Sequence, residues 1–394
     1  MKRFSELLFL FLVLAATCLM LCFPQAAYQG ACRGLETWCV HLLPSLLPFF
    51  IAADLLLSLG FVRFLGVLLE PVMRPLFRLP GEAGFALALG FTSGFPMGAI
   101  LTASLKEQNL CTHQEAARLA AFTSNSSPLF LLISVPVSML QQPQLGPLLL
   151  ASHYMANLTI GILLRFLSPA SHPLKTPSRL FSNALKEMRY YYSQNRRPFG
   201  AMLGQAIQKG ISSIVNVGGF VLLFSVLLEL LQAAGILTLI QLFFSVILHI
   251  FSFSSDLAPA MSAGFFEMTL GAQTAAQSQA PLLEQLMAIS FILGWSGLSI
   301  QAQVNSILAG QQISSRLYCL CRPLQGFLAA LYIPALLTFC PRIAGISTTQ
   351  TVFSASPADV ISTFSLIAFP VTALLLLLTI SVCLHLFHRL KNRI

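Results

Sequence analysis

Apolar runs about as long as a lipid bilayer is thick constrain this chain more than any other feature. Four of them cover residues 7–23, 147–164, 211–231 and 363–386, and about 20 apolar residues carry a helix across the hydrocarbon. Charged residues make up only 9% of the 394 residues, against roughly 25% in soluble globular proteins. The runs also lack the alternation of a membrane β-barrel. The sequence therefore predicts an all-α, polytopic membrane protein.

The basic residues indicate how the chain is threaded through the membrane. A net charge of +9 would suggest nucleic acid in a soluble protein, but these residues lie in loops and at the ends of apolar runs, where they mark the cytoplasmic side. Residues 168–209 hold seven basic residues and one acid, so we expect a cytoplasmic loop there. Residues 180–192 within it predict an amphipathic helix on anionic lipid. Membrane lipid is thus an expected partner, and nucleic acid is not.

The number of membrane spans between the charged loops predicts that one apolar segment does not cross the membrane. From a cytoplasmic N-terminus, an uncleaved first span, with a cleaved signal peptide as the alternative, leads out and residues 40–60 lead back. Three apolar segments then precede Arg165, where the basic loop begins, although an even number of crossings is needed. We expect residues 83–105 not to cross, because three glycines and a proline within residues 90–98 break a helix. This segment predicts a re-entrant hairpin that enters from the cytoplasm and is surrounded by protein.

A second interruption follows in the next apolar segment, residues 116–140. Its middle, residues 123–128, reads Thr-Ser-Asn-Ser-Ser-Pro. Six consecutive small, polar or helix-breaking residues are costly in lipid, so they are expected to face the bundle interior, where such residues often mark a site. We therefore expect a broken span here, followed by a plain span over residues 147–164.

The same order of elements recurs after the basic loop, in the opposite orientation. A span, an interfacial stretch, a broken hairpin, a broken span and a plain span are predicted over residues 211–231, 235–253, 257–276, 282–308 and 323–339. If the second hairpin, broken at residues 264–271, enters from outside, Arg316 and Arg322 lie in the cytoplasm, as the positive-inside rule requires. Inverted repeats of this kind are typical of secondary transporters.

The predicted fold class is therefore all-α, with two inverted repeats, re-entrant hairpins and broken transmembrane helices. Its parts are a first span with an external loop, a first repeat, the basic cytoplasmic loop, a second repeat, and an external loop with a final span. They cover residues 1–39, 40–167, 168–210, 211–340 and 341–394.

Four motifs stand at the predicted breaks of the two repeats. They are Gly94-Phe95-Pro96-Met97-Gly98, Asn125-Ser126-Ser127-Pro128, Gly264-Phe265-Phe266-Glu267 and Gly297-Leu298-Ser299-Ile300-Gln301. They resemble motifs of the sporulation integral membrane proteins of the YlbJ (SpoVV) type. That resemblance implies two nucleoside-recognition (gate) domains, related to gates of concentrative nucleoside and ferrous-iron transporters. It also implies a multi-pass protein of the outer forespore membrane of a spore-forming bacterium, which moves dipicolinate during sporulation.

Polar residues at the breaks form the predicted substrate-binding set, because half-helix ends, hydroxyls and amides can hold a small polar aromatic solute. The set consists of Ser93, Gly94, Asn125, Ser126, Ser127, Ser296, Ser299, Gln301 and Gln303. It contains no cation, so a dicarboxylate would have to be held by helix ends and amides, or travel with a cation. Glu267, the single acid within the second hairpin, is predicted to bind a coupling proton or Na⁺, with a neutral helix cap as the alternative.

Other ionisable residues give less definite expectations. His153 is expected at the membrane interface rather than in a proton relay, and Asp54 fits a transport pathway and an ion pair equally well. No phosphate loop, Gly-x-Ser-x-Gly or His-Glu-x-x-His motif occurs, so no enzyme is predicted. The nine cysteines lack the paired spacing of structural zinc. No metal or cofactor is expected beyond a coupling ion.

The leading functional prediction is a membrane transporter of a small anionic aromatic solute. A nucleoside-type solute carrier and a non-transporting sporulation scaffold that docks through its basic loop remain as alternatives. The sequence leaves open whether the protein is a homo-oligomer.

Overall fold

The computed structural model describes residues 2–167 and 180–339, and every regular element in these two ranges is helical. The predicted all-α membrane fold is therefore confirmed. The predicted final span over residues 363–386, the external loop before it and the start of the basic loop lie outside the described residues.

The first half of the molecule, residues 2–167, contains eight α-helices. They are α1 (Lys2–Cys22), α2 (Pro24–Glu36), α3 (Leu43–Ser58), α4 (Phe61–Phe77), α5 (Ala83–Ser93), α6 (Met97–Glu107), α7 (His113–Thr123) and α8 (Gly146–Leu164). Two π-helical segments, Thr37–Leu42 and Phe130–Met139, precede α3 and continue α7. Residues predicted to form the first external loop are thus largely helical, and α2 begins at a proline, which suits the first helical position.

The remaining described residues form a surface helix and the second half of the molecule, residues 199–339. The surface helix is α9 (Leu180–Gln194). The second half consists of α10 (Phe199–Ala233), α11 (Ile236–Ile250), α12 (Ala258–Phe266), α13 (Met268–Ala276), α14 (Leu282–Trp295), α15 (Gly297–Gly310) and α16 (Arg316–Phe339).

Four helical segments of the described chain are long and apolar enough to cross a membrane. They are Pro143–Leu167, Phe199–Ala233, Leu282–Gly310 and Arg316–Thr338. The number rises to six if each of two sharply bent helix pairs, α1 with α2 and α3 with α4, counts as one span. The bends measure 105° and 82°.

The order of elements in the second half repeats that of the first. A long helix, an amphipathic helix, a hairpin of two short helices, a broken span and a plain span follow one another in both. In each half the long helix passes into the amphipathic one through a glycine in the left-handed region, Gly60 (φ 77°) and Gly235 (φ 72°), a conformation that glycine adopts without steric cost.

Two apolar cores show that the repeats are inverted. The first core combines α3 to α7 with residues of α15 and the start of α16. The second core combines α12 to α14 with residues 131–140 and the start of α8. The first broken span thus runs from the first core into the second, and the second broken span runs back. Each hairpin lies in a different core.

The long helix α10 differs from the prediction, which placed a span over residues 211–231. The helix begins at Phe199, directly after Pro198, and so includes the end of the predicted basic loop. Its three early glycines do not interrupt it. Lys209 of this added part pairs with Asp54 of α3, over 3.0 Å between Nζ and Oδ1, so the ion-pair alternative for Asp54 is the one realised.

The amphipathic helix predicted over residues 180–192 is present as α9. It packs on α4 through Leu180 and Ala184, which are buried together with Leu68. The ring of Phe181 meets that of Phe64 edge to face, with 5.6 Å between the centroids.

Candidate functional site

Each hairpin is held together by glycines where its two arms pass each other. A Cβ atom on Gly271 of α13 would lie 2.3 Å from the Cα of Gly264 of α12. A Cβ on either Gly90 or Gly98, in the two arms of the first hairpin, would lie 2.3 Å from the carbonyl oxygen of Thr123. Such distances are far inside van der Waals contact, so only glycine permits this approach. The similar segments Met97-Gly98-Ala99 and Leu270-Gly271-Ala272 each hold a glycine that permits a close approach, to α7 in the first half and to the other hairpin arm in the second.

The tip of each hairpin touches the break of the following span. In the first half the tip residue Gly94 (φ 84°) lies against Ser127, and a Cβ on it would come within 2.8 Å of the Cβ of Ser127. In the second half Gly297 (φ 72°) lies against the hairpin tip, and its Cβ would come within 2.8 Å of the carbonyl oxygen of Phe266. A left-handed glycine stands at both contacts, on the hairpin in the first half and on the broken span in the second.

The two halves meet at these breaks. The hydroxyl of Ser126, in the first break, contacts the sulfur of Met268, at the tip of the second hairpin, over 3.9 Å. Both hairpin tips and both breaks therefore converge between the two cores. We call this place the crossing, and define it by Gly94, residues 124–127, residues 266–268 and residues 296–297.

The first break is buried polar backbone. Residues 124–127 have no regular structure, and Ser124, Asn125 and Ser126 are at most 1% exposed. The amide of Asn125 donates to the carbonyl of Phe122 over 3.3 Å, while its Oδ1 has no partner within the described residues. The hydroxyls of Ser93 and Ser124 are likewise buried without a partner there. Buried polar atoms are normally paired, so these atoms are available to a ligand.

Four residues of the predicted substrate-binding set lie at or after the second break. One of them caps a helix, and the other three are buried. Gln301 donates from Nε2 to the carbonyl of Trp295 over 3.1 Å and so closes the end of α14. Ser296, Ser299 and Gln303 are buried. Since α-helical residues advance by 100°, Gln303 points roughly 200° away from Gln301 and faces a different side of α15.

Glu267 caps the second arm of its hairpin. Its two carboxylate oxygens accept hydrogen bonds from the backbone N–H groups of Thr269 (3.0 Å) and Leu270 (2.7 Å). This is the geometry of the helix-cap alternative, and a carboxylate is favoured at a helix N-terminus. Each oxygen keeps a lone pair, so a role in ion or proton coupling stays a prediction.

Arg322 corrects two predictions made from the charge pattern. It does not lie in a cytoplasmic loop but is fully buried on α16, so the site does contain a cation. Its Nη1 donates to the carbonyl of Ser124 (3.0 Å) and its Nη2 to that of Ala121 (2.6 Å). Its guanidinium also lies 4.8 Å from the centroid of the Tyr318 ring. Because α16 begins at Arg316, this side chain lies nearly two turns inside the helix.

His153 also lies in the interior, so its expected place at the membrane interface is wrong. It is 1% exposed on α8. Its Nε2 accepts a hydrogen bond from the backbone N–H of Ser126 (3.3 Å) and lies 3.5 Å from Nε2 of Gln325 on α16. The plain spans of both halves thus supply polar side chains to the first break.

Spacing could have identified these residues. His153 and Asn157 stand four residues apart in one apolar run, and Arg322 and Gln325 stand three apart at the start of another. Such pairs share one helix face. Polar residues on one face of an apolar span point to the bundle interior.

A cavity of about 370 Å³ lies between α6, α10 and α15. Hydroxyl, amide and carboxylate groups line it together with apolar residues. The lining consists of Ile100, Ala103, Ser104, Glu107, Ser212, Ser213, Asn216, Ile307 and Gln311. The helices α6 and α15 both start at the crossing and lead away from it along this cavity.

Comparison with known proteins places these features in a family. A family model described as "Gate: Nucleoside recognition" matches residues 39–143. The sporulation integral membrane protein YlbJ of Bacillus subtilis (strain 168) is 40% identical over 328 residues, which cover 82% of this chain and 80% of that protein. An uncharacterized protein of Alkalihalophilus pseudofirmus is 34% identical over 113 residues, 28% of this chain and 23% of that protein. No solved structure matches the chain.

Proposed function

The chain belongs to the family of the sporulation integral membrane protein YlbJ, and from this premise we propose that it transports a small anionic aromatic solute across a membrane of the sporulating cell. The proposed solute is dipicolinate, and the proposed location is the outer forespore membrane, as the resemblance implies. The coarser description, a sporulation membrane protein with a nucleoside-recognition gate domain, follows directly from the comparisons.

The convergence of four broken elements at the crossing carries this proposal. Irregular backbone inside a membrane protein costs free energy unless protein or a water-filled cavity surrounds it. Here such backbone occurs once per hairpin and once per broken span, and all four places meet between the two cores. Secondary transporters commonly bind their solutes at such a meeting of discontinuous helices from inverted repeats.

Helix ends at the crossing suit a negatively charged solute. Both α13 and α15 begin there, and the free N–H groups of a helix N-terminus attract anions. At α13 the carboxylate of Glu267 already accepts from the N–H groups of Thr269 and Leu270, so the N-terminus of α15 is the one left for the solute. Arg322 adds a full positive charge next to the first break.

The cavity beside α6, α10 and α15 suits an access path. Its volume of about 370 Å³ lies within the range of small-molecule sites, roughly 300–1,000 Å³. On the predicted topology it opens toward the cytoplasm, because α6 and α15 both lead there from the crossing.

Uptake into lipid vesicles tests the proposed function. Vesicles containing the purified protein are expected to accumulate labelled dipicolinate faster than protein-free vesicles. Equal rates would contradict the proposal.

A nucleoside-type carrier is the second candidate, favoured by the gate model over residues 39–143. In the same vesicles, excess nucleoside is expected to leave dipicolinate uptake unchanged. Nucleoside uptake that dipicolinate does not inhibit would favour this second candidate.

A further inference from the structure

Arg322 is a buried charge without a carboxylate partner among residues 2–167 and 180–339. Its two hydrogen-bond acceptors, the carbonyls of Ala121 and Ser124, are uncharged. The ring of Tyr318, which its guanidinium faces, is also uncharged. The ion pairs within residues 2–167 and 180–339 join Arg33 with Glu229, Arg74 with Glu70 and Glu115, and Lys209 with Asp54. None of them includes Arg322. Burying an ion without a counter-charge is costly, so an anion bound at this place would stabilise the arginine.

Several buried polar atoms around Arg322 also lack a partner within the described residues. They are Nε of Arg322, Nδ1 of His153, Oε1 of Gln325, the Ser124 hydroxyl and Oδ1 of Asn125. Because Nε2 of His153 accepts a hydrogen bond from Ser126, the neutral ring carries its proton on Nδ1. The group therefore offers two unpaired N–H donors, one on Arg322 and one on His153.

We propose that a carboxylate group of an organic anion binds at Arg322, with His153 as a second donor, between α8, α16 and the first break. This inference rests on the proposed transport function and assigns its selectivity for anions to named residues. A planar carboxylate matches the forked guanidinium better than a spherical inorganic anion does, because two parallel hydrogen bonds form.

Binding at this place would also couple the solute to the contact between the halves. Arg322 belongs to the second half, and the two carbonyl groups that it caps belong to the first. Each Nη atom carries two hydrogens and donates one of them to a carbonyl, so a carboxylate can bind the Nε–H and a second Nη–H while both carbonyl contacts remain. Solute and both halves would then meet at one guanidinium.

Binding of a charged solute and of its neutral isostere to purified protein tests the proposal. The probes are pyridine-2,6-dicarboxylate and pyridine-2,6-dicarboxamide. We expect Arg322→Gln to weaken dicarboxylate binding by at least about tenfold, because a buried charged hydrogen bond is lost, and to change diamide binding far less. Arg322→Lys, which keeps the charge but not the fork, is expected to lie between the wild type and Arg322→Gln.

Arg118 supplies a matched control. It is also a buried arginine, and it donates to two carbonyl groups, of Phe77 (3.1 Å) and Arg78 (2.9 Å), at the C-terminal end of α4, and neither residue belongs to the crossing. Arg118→Gln is expected to lower the melting temperature but to leave dicarboxylate affinity unchanged.

Three results would overturn the proposal. The first is wild-type dicarboxylate affinity in folded Arg322→Gln. The second is an equal loss of affinity for both probes in that variant, which would indicate a structural role. The third is a wild-type protein that binds the diamide but not the dicarboxylate. The proposed transport function fails separately, by the absence of uptake in wild-type vesicles.

Discussion

Two buried arginines, Arg118 and Arg322, make similar hydrogen bonds, and neither could be placed from the charge pattern. Each donates to two main-chain carbonyls at the C-terminal end of a helix, where a positive charge is favoured. The positive-inside rule counts basic residues near the ends of apolar runs. It therefore assigns to the cytoplasm an arginine whose carbonyl partners lie about 200 residues away in the sequence.

The glycines of the hairpins could be predicted as helix breakers, but their packing role depends on tertiary contacts. We expect Gly98→Ala to destabilise the protein, because its Cβ would lie 2.3 Å from the carbonyl oxygen of Thr123 and overpacking costs about 1–3 kcal/mol. Thermal melting in detergent measures this. Gly204→Ala in α10, where an added Cβ meets nothing within 4 Å, is the control and should not lower the melting temperature. Equal melting of the two variants would contradict the packing role.

Glu267 has both a capping and a coupling interpretation, and one substitution separates them. Glu267→Gln keeps a single acceptor oxygen and loses one of two N–H bonds, which costs about 1 kcal/mol. If Glu267 also binds the coupling proton or Na⁺, the variant should lose the dependence of uptake on that ion. Initial uptake rates with and without an ion gradient measure this dependence. If the variant is less stable but its uptake depends on the ion as in the wild type, Glu267 has only the capping role.

The positions at which the helices break could be predicted from the sequence. The bounds of the helix that connects the two halves, α10, could not. Glycine, proline and runs of small polar residues mark the first hairpin tip and residues 124–127, because these residue types cannot continue an apolar helix cheaply. The early start of α10 was not predicted. Its first residues are polar enough to read as a loop, and an ion pair to α3 holds them in the bundle.

The cavity between α6, α10 and α15 gives a prediction about access to the site. Ser213→Cys lies in its lining, whereas Val215→Cys lies on an exposed part of α10 outside it. A membrane-impermeant maleimide applied from the cytoplasmic side should label the cysteine at position 213 above the parent protein. It should not label that at position 215, which faces lipid. Labelling of both positions, or of neither, would contradict a water-filled access path.

In the molecule as a whole, the two cores show the inverted repeat that was predicted from the number of membrane spans between the charged loops. Each core combines one hairpin with the parts of both broken spans on its side. That arrangement could be predicted from the order of the apolar segments, the positions of the basic residues and the glycines and prolines that break helices. The contacts across the crossing could not, because they join residues as distant in sequence as Ser126 and Met268. Nine of the ten predicted site residues are polar or charged residues at or near a break, and Gly94 is the tenth.

If solute passes where the two halves meet, a reversible crosslink between the halves at the crossing must block transport. Oγ of Ser126 and Sδ of Met268 lie 3.9 Å apart on opposite halves, so Ser126→Cys combined with Met268→Cys places two thiols at the crossing. The fraction of protein that oxidation joins by a disulfide is measured first. We expect this oxidation to abolish dipicolinate uptake into vesicles, reduction to restore it, and neither single variant to respond. Full uptake by protein shown to be crosslinked would contradict it.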